Sequence, residues 1–159
     1  MIKAIIFDMY ETLVTQYSGQ LYFGEEIARD LQIEENMFMP IWRNSKQART
    51  IGEITFEEII ETIMLKHNLF SNEKVEQIVS RRHSFEKNAF LNINEDIMPM
   101  LKMLKNMGFK LGLITNCFSE EVIHIRQSDL FSLFDATCLS FLERCRKPEE
   151  DIYQLCVER

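Results

Sequence analysis

Residues 2–7, Ile-Lys-Ala-Ile-Ile-Phe, form a short and nearly continuous apolar run that ends on an acid, Asp8. A strand with one wet face alternates apolar and polar residues. A run without that alternation reads as a strand buried on both faces, and such strands belong to parallel sheets covered by helices. The same texture returns at 109–115 (Phe-Lys-Leu-Gly-Leu-Ile-Thr) and more weakly at 134–140 (Phe-Asp-Ala-Thr-Cys-Leu-Ser). Helical signals stand around these runs. Asp96 reads as the cap of a helix with Pro99 in its first turn, an apolar face of Ile97, Met100, Leu101 and Leu104, and a stop at Gly108. Ser119 reads as an N-cap with Glu120 and Glu121 in the first turn, and Pro148 as the opening of a helix through Ile152, Tyr153 and Cys156. Strand–helix alternation of this kind predicts a doubly wound α/β sheet.

Residues 15–91 interrupt the alternation. They hold helical patterns at Glu25–Leu31, Glu35–Gln47, Thr55–His67 and Ser71–Asn88, with no convincing strand. Thr55 with Glu58 forms a capping box, followed by Ile59, Ile60 and Ile63 at helical spacing. An insertion of this length is too long for a loop. The expected organisation is therefore a discontinuous core, 1–14 and 92–159, carrying a helical domain at 15–91.

Composition narrows the function. Five Gly and 3 Pro in 159 residues leave few tight turns for an all-β sandwich. Twenty-five acids against 18 bases give a net charge of −7, a field that repels nucleic acid and anionic membranes. An anionic substrate then needs local cations. No stretch has the length of a membrane span and the N-terminus lacks the shape of a signal peptide, so a cytoplasmic protein is expected. Cys117, Cys138, Cys145 and Cys156 include no C-x-x-C pair, and His67, His83 and His124 are scattered. Buried small apolar residues are expected there, rather than a metal–thiolate site or disulfides.

In a doubly wound sheet, ligands bind beyond the carboxyl ends of the strands. Asp8 follows the first run, Thr115 and Asn116 the second, and Lys147 lies beyond the third. A carboxylate, a hydroxyl with an amide, and an ammonium would meet there. The helix opening near Ser119 would add free N–H groups and a positive dipole end that favour an anion. A carboxylate facing cations is a plausible nucleophile, because it attacks without losing a proton at pH 7. Its neighbours would neutralise the group under attack.

These residues also carry a family resemblance. Asp8-Met9-Tyr10-Glu11-Thr12-Leu13 resembles motif I of the haloacid dehalogenase (HAD) superfamily. Ile114-Thr115-Asn116 resembles motif II, and Lys147-Pro148 followed by Ile152-Tyr153 resembles motif III. The helical insertion falls where subfamily I carries its C1 cap. The resemblance implies a Rossmann-like α/β core with a cap closing over the site, and Asp8, Thr12 and Lys147 as the catalytic set. It places Tyr10, Thr115, Asn116 and Arg43 on the substrate, and Mg²⁺ on the Asp8 carboxylate and the Tyr10 backbone carbonyl.

The pattern departs from the family in three places. Tyr10 stands where phosphatases of the superfamily carry a second Asp as general acid and base; its 2-haloacid dehalogenases carry Tyr there. Trp42-Arg43 resembles the dehalogenases' cap arginine, whereas Arg49-Thr50-Ile51-Gly52-Glu53 looks more like phosphatase-like members. Glu11 stands where most members have Gly, which leaves Glu11 open as a replacement acid or base. The acidic fourth motif, expected on the next strand, would fall beyond Arg159, which is 12 residues past Lys147. On this reading the last core strands are missing, the Mg²⁺ site is weak, and Ile2–Phe7 is an open apolar edge inviting self-association.

The leading expectation is a Mg²⁺-dependent phosphatase of small phosphate esters acting through an aspartyl intermediate. A metal-free 2-haloacid dehalogenase is the alternative within enzymes. A catalytically silent remnant, at most a binding or dimerising module, is the alternative outside them. The expected partner is a small anionic substrate, with homo-oligomerisation through the first strand as a further possibility.

Overall fold

The computed structural model describes residues 2–159. Three parallel strands, β1 (Ala4–Phe7), β2 (Lys110–Thr115) and β3 (Ala136–Leu139), form one sheet in the order β1-β2-β3. Phe7 pairs with Leu113 and Thr115 with Leu139, so the carboxyl ends of all three strands face one side. β2 is central, and its Leu111, Leu113, Ile114 and Thr115 are buried. β1 lies at an edge of this sheet and is not buried on both faces as its apolar run predicts: Ala4 and Ile6 are exposed, and Ile5 and Phe7 are half-buried.

Gly112 explains how tightly the centre packs. A Cβ there would stand 3.0 Å from Ile6 Cγ1 and 3.1 Å from Cys156 Sγ. Only hydrogen in place of a side chain lets β1 and the last helix approach β2 together. That helix, α9 (Glu150–Glu158), buries Ile152 and Cys156 against Ile114 and Cys138. On the other face Leu101 of α6 (Ile97–Asn106) and Ile125 of α7 (Ser119–Gln127) join Leu111, Leu113, Met9 and Leu13. All four cysteines are buried and free, as expected of small apolar residues.

Between β1 and α6 the chain folds into five helices: α1 (Gly24–Leu31), α2 (Glu35–Asn44), α3 (Lys46–Thr50), α4 (Phe56–Lys66) and α5 (Asn72–Leu91). Their apolar faces close a separate cluster around Ile27, Leu31, Phe38, Ile60, Ile63, Met64 and Ile78. Thr55 caps α4, with the Glu58 carboxylate accepting from the Thr55 N–H at 2.7 Å.

Three local expectations are corrected. The pattern at 35–47 is two helices broken at Ser45, whose hydroxyl donates to the Trp42 carbonyl and accepts from Arg49 Nε; a serine side chain competing for backbone groups favours such a break. The Asp96 side chain does not cap α6; Asn94 Oδ1 instead accepts the Asp96 N–H. Helix α7 begins one residue earlier than expected, with Phe118 at the N-cap position and the Glu121 carboxylate accepting its N–H at 2.9 Å. The Ser119 hydroxyl is used elsewhere, accepting the N–H of Phe56 across the seam between helices and sheet.

Other links cross that seam. Ser140 Oγ, at the start of the short helix α8 (Ser140–Glu143) that follows β3, donates to the Thr50 carbonyl at 2.9 Å, and Arg144 donates to the Gly52 carbonyl. Gly52 has a φ of +70°, and a Cβ there would collide with the Phe141 carbonyl oxygen, so both backbone shape and approach require glycine.

Candidate active site

Asp8 leaves the carboxyl end of β1, and its Oδ1 accepts the Met9 N–H at 2.8 Å, which fixes the direction of the carboxylate. Oδ2 meets Lys147 Nζ at 2.7 Å. The pair is open to solvent, with side-chain exposures of 40% for Asp8 and 22% for Lys147. Asn116 holds the lysine's backbone on both sides: its Oδ1 accepts the Lys147 N–H at 2.8 Å and its Nδ2 donates to the Lys147 carbonyl at 3.0 Å. Three segments far apart in sequence therefore meet beyond the sheet, as the strand ends predict. The Lys147–Pro148 peptide in this turn is cis.

The other expected site residues are placed as follows. Thr115 ends β2 fully buried. Thr12 is exposed and lines an open groove with Asn92, Asn94 and Ile97; no side-chain hydrogen bond ties it to Asp8 among the described residues. Arg43 is exposed on α2, and no ion pair or hydrogen bond among the described residues joins it to Asp8 or Lys147. Glu11 sits at a φ of +54°, the left-handed region in which glycine is favoured. Its carboxylate accepts from Thr15 Oγ1 at 2.9 Å and from the Gln16 N–H at 2.8 Å, which commits it to its own loop.

Tyr10 does not face the Asp8–Lys147 pair through its hydroxyl. The phenol donates to Glu86 Oε2 at 3.3 Å, and the ring packs edge-on against Phe90. Burial, then Glu121 and Glu86, push its pKa well above the ordinary value. The partner belongs to a buried charge cluster that joins the helical insertion to the core. Arg82 of α5 meets Glu86 at 2.9 Å, Glu120 at 3.2 Å and Glu121 at 3.3 Å, and Gln16 Nε2 donates to Glu86 and Glu121. Burial opposes the Arg82 charge, but the three carboxylates outweigh it and hold the guanidinium charged. Burial, then Glu86 and Glu120, raise the Glu121 pKa well above the usual carboxylate range.

This cluster also corrects the expectation for α7. The positive end of that helix faces its own buried Glu120 and Glu121, and the Phe118 and Cys117 N–H groups are taken by Glu121 and Ser140. Its dipole stabilises these acids rather than awaiting an external anion. Sequence reasoning missed the cluster although a signal was present. Val75, Ile78, Phe85 and Ala89 mark the buried stripe of α5, and Arg82 and Glu86 fall on the same stripe. A charged i, i+4 pair inside an apolar stripe points to burial.

Arg49 was singled out only as part of a segment. It is buried between the rings of Trp42 and Phe118, 3.6 and 4.6 Å from their centroids, and burial lowers its pKa to about 10. Cys117, also buried near the site, has its thiol pushed up to about 12 and offers no competing nucleophile at neutral pH.

The donor set for a metal is small. The described residues include no group of three or more His, Cys, Asp or Glu placed to hold an ion. The Asp8 carboxylate and the Tyr10 carbonyl, which accepts no backbone hydrogen bond among the described residues, are both hard oxygen donors. Such a pair fits Mg²⁺, which binds through one or two carboxylates and completes its shell with water and substrate phosphate. It does not fit a soft or tightly caged metal.

A parallel sheet bearing a solvent-open carboxylate–ammonium pair at its carboxyl edge, beside an inserted helical unit, is the arrangement of an α/β hydrolase. The family model described as haloacid dehalogenase-like hydrolase matches residues 2–159, and the chain belongs to that family. Among solved structures it is similar to a HAD family enzyme from Bacteroides thetaiotaomicron, with a TM-score of 0.71 and 18% identity over 99% of this chain and 77% of that one. The same wild-type enzyme in complex with magnesium and inorganic phosphate gives 0.67 at 17%, covering 99% and 78%. An L-2-haloacid dehalogenase gives 0.56 at 22%, covering 99% and 72%. At these identities the likeness is one of fold. No curated protein matches the sequence.

Proposed function

We propose that the protein is a phosphatase of small phosphorylated molecules, with Asp8 as the phosphoryl-accepting nucleophile. The observation that carries this reading is the Asp8–Lys147 pair at 2.7 Å, exposed to solvent and held by the two-way Asn116 clamp. An Asp8 oxygen attacks phosphorus and the bond to the leaving group breaks. Water then attacks phosphorus of the aspartyl phosphate and returns the carboxylate. Lys147 neutralises phosphate oxygens as charge develops, the role of a fixed electrostatic donor. Asn116 positions Lys147 by holding its backbone. Mg²⁺, when held by the Asp8 carboxylate and the Tyr10 carbonyl, supplies charge neutralisation at the transferring group.

The fold likeness to an enzyme solved with magnesium and inorganic phosphate supports this reading over dehalogenation. The exposure of Arg43 supports it too, because a halide-receiving arginine should reach the reactive carbon. Dehalogenation keeps one observation in its favour: the Tyr10 hydroxyl is turned away to Glu86, and a departing halide needs no proton. In that reaction Asp8 attacks carbon and no metal takes part.

The test is phosphate release from small phosphate compounds by the purified protein and by Asp8→Asn, with and without EDTA. Release lost in Asp8→Asn and suppressed by EDTA is expected. Halide release from a 2-haloacid that persists in EDTA would establish the second reading instead. Absence of any Asp8-dependent turnover would favour a silent binding module.

A further inference from the structure

We infer that the substrate class is a phosphoryl donor whose leaving group departs without a proton, an acyl phosphate above all, rather than the phosphate ester of an ordinary alcohol. The inference rests on the reading of Asp8 as a phosphoryl-accepting nucleophile and deepens it.

The protons around Asp8 are engaged elsewhere. The Tyr10 hydroxyl, two residues on, donates to Glu86, whose side chain has no solvent exposure. Glu11 spends both carboxylate oxygens on Thr15 and Gln16. The Lys147 ammonium is committed to the nucleophile itself. Thr115 is an alcohol, far too weak an acid, and fully buried. Glu121 is buried against Arg82 and Gln16. None of these groups is directed at an oxygen leaving from phosphorus opposite Asp8.

Leaving-group chemistry then decides the substrate. With an acyl phosphate, the Asp8 oxygen forms the new O–P bond while the P–O bond to the acyl group breaks. The electron pair departs on a carboxylate, which is stable unprotonated because carboxylic acids ionise near pH ~4. An alkyl ester would have to expel an alkoxide, and a positioned acid is worth about 10²–10⁴-fold in such a step. In the second step water attacks phosphorus, the O–P bond to Asp8 breaks, and the water proton passes to a phosphate oxygen, giving inorganic phosphate. With no carboxylate among the described residues poised to take that proton, this step is the slower one.

The experiment compares kcat/KM of the purified protein in Mg²⁺ for acetyl phosphate, p-nitrophenyl phosphate, phenyl phosphate and glycerol phosphate, with Asp8→Asn as control. The expected result is a steep fall along that order, with glycerol phosphate at least about a hundredfold below acetyl phosphate. An alkyl ester turned over within about tenfold of acetyl phosphate would overturn the inference, because a proton donor would then be acting. Turnover that survives Asp8→Asn, or no turnover of any of the four compounds, would overturn the hydrolase reading and the inference with it. A steep fall that disappears in Asp8→Asn supports both.

Discussion

Two groups of opposite charges lie near one another in this molecule, and they differ in exposure. Asp8 and Lys147 stand at the sheet's carboxyl edge with side chains 40% and 22% exposed. Arg82, Glu86, Glu120 and Glu121 sit between the helical insertion and the core at 5% or less. The chemistry is the same in both, but the surroundings set the role. In the open pair water and ions compete for every contact, so the pairing adds little to stability and can be exchanged for a substrate. In the buried cluster no such exchange is available, and removing one partner leaves an uncompensated charge. Tyr10 connects the two regions: its backbone adjoins the open pair and its hydroxyl enters the buried cluster.

The sharpest way to break the contrast is Asp8→Asn. It is expected to lower phosphate release by at least about ten-thousandfold while leaving the thermal midpoint near that of the parent. Arg82→Ala should do the reverse, costing about 3–5 kcal/mol of stability in a urea titration. Equal loss of stability in both variants would erase the distinction. Lys147→Ala comes next, with about a 10²–10³-fold loss in kcat and a stability change below about 1 kcal/mol.

Glu121→Gln sharpens the comparison through pH. A raised folded-state pKa means that the native protein keeps a proton the unfolded chain releases above its ordinary value of 4.5. Stability is therefore undiminished below that value and declines as pH rises from there toward the folded pKa. Thermal midpoints measured across this range should show the parent falling relative to Glu121→Gln; parallel curves would contradict a raised Glu121 pKa. The smallest effect belongs to the surface pair Arg146–Glu149, 3.4 Å apart, where Arg146→Ala should change stability by less than about 0.5 kcal/mol.

Much of the fold was legible because its signals are local. An apolar run ending on Asp8 reads as a strand, though its burial did not follow, and the Thr55–Glu58 box marks a helix start regardless of what packs on it. The meeting of Asp8, Asn116 and Lys147 was legible because strand ends share one side of a parallel sheet. What escaped was the direction of side chains. Whether Glu11 serves the site or its own loop depends on a φ of +54°, which residue types alone do not reveal. Arg43 and Arg49 lie on adjoining short helices, yet the break at Ser45 leaves one exposed and one stacked between Trp42 and Phe118. Tyr10 was read as lining the site, whereas burial against Glu86 and Phe90 settles its hydroxyl elsewhere.

The central claim is that the exposed member of this comparison is the nucleophile. Acid quenching of the protein during turnover of acetyl phosphate, followed by peptide mass mapping, tests it directly. The account predicts a single phosphoryl group on the peptide carrying Asp8, absent from Asp8→Asn. Phosphate release with the phosphoryl group on another residue, or undiminished in Asp8→Asn, would contradict it.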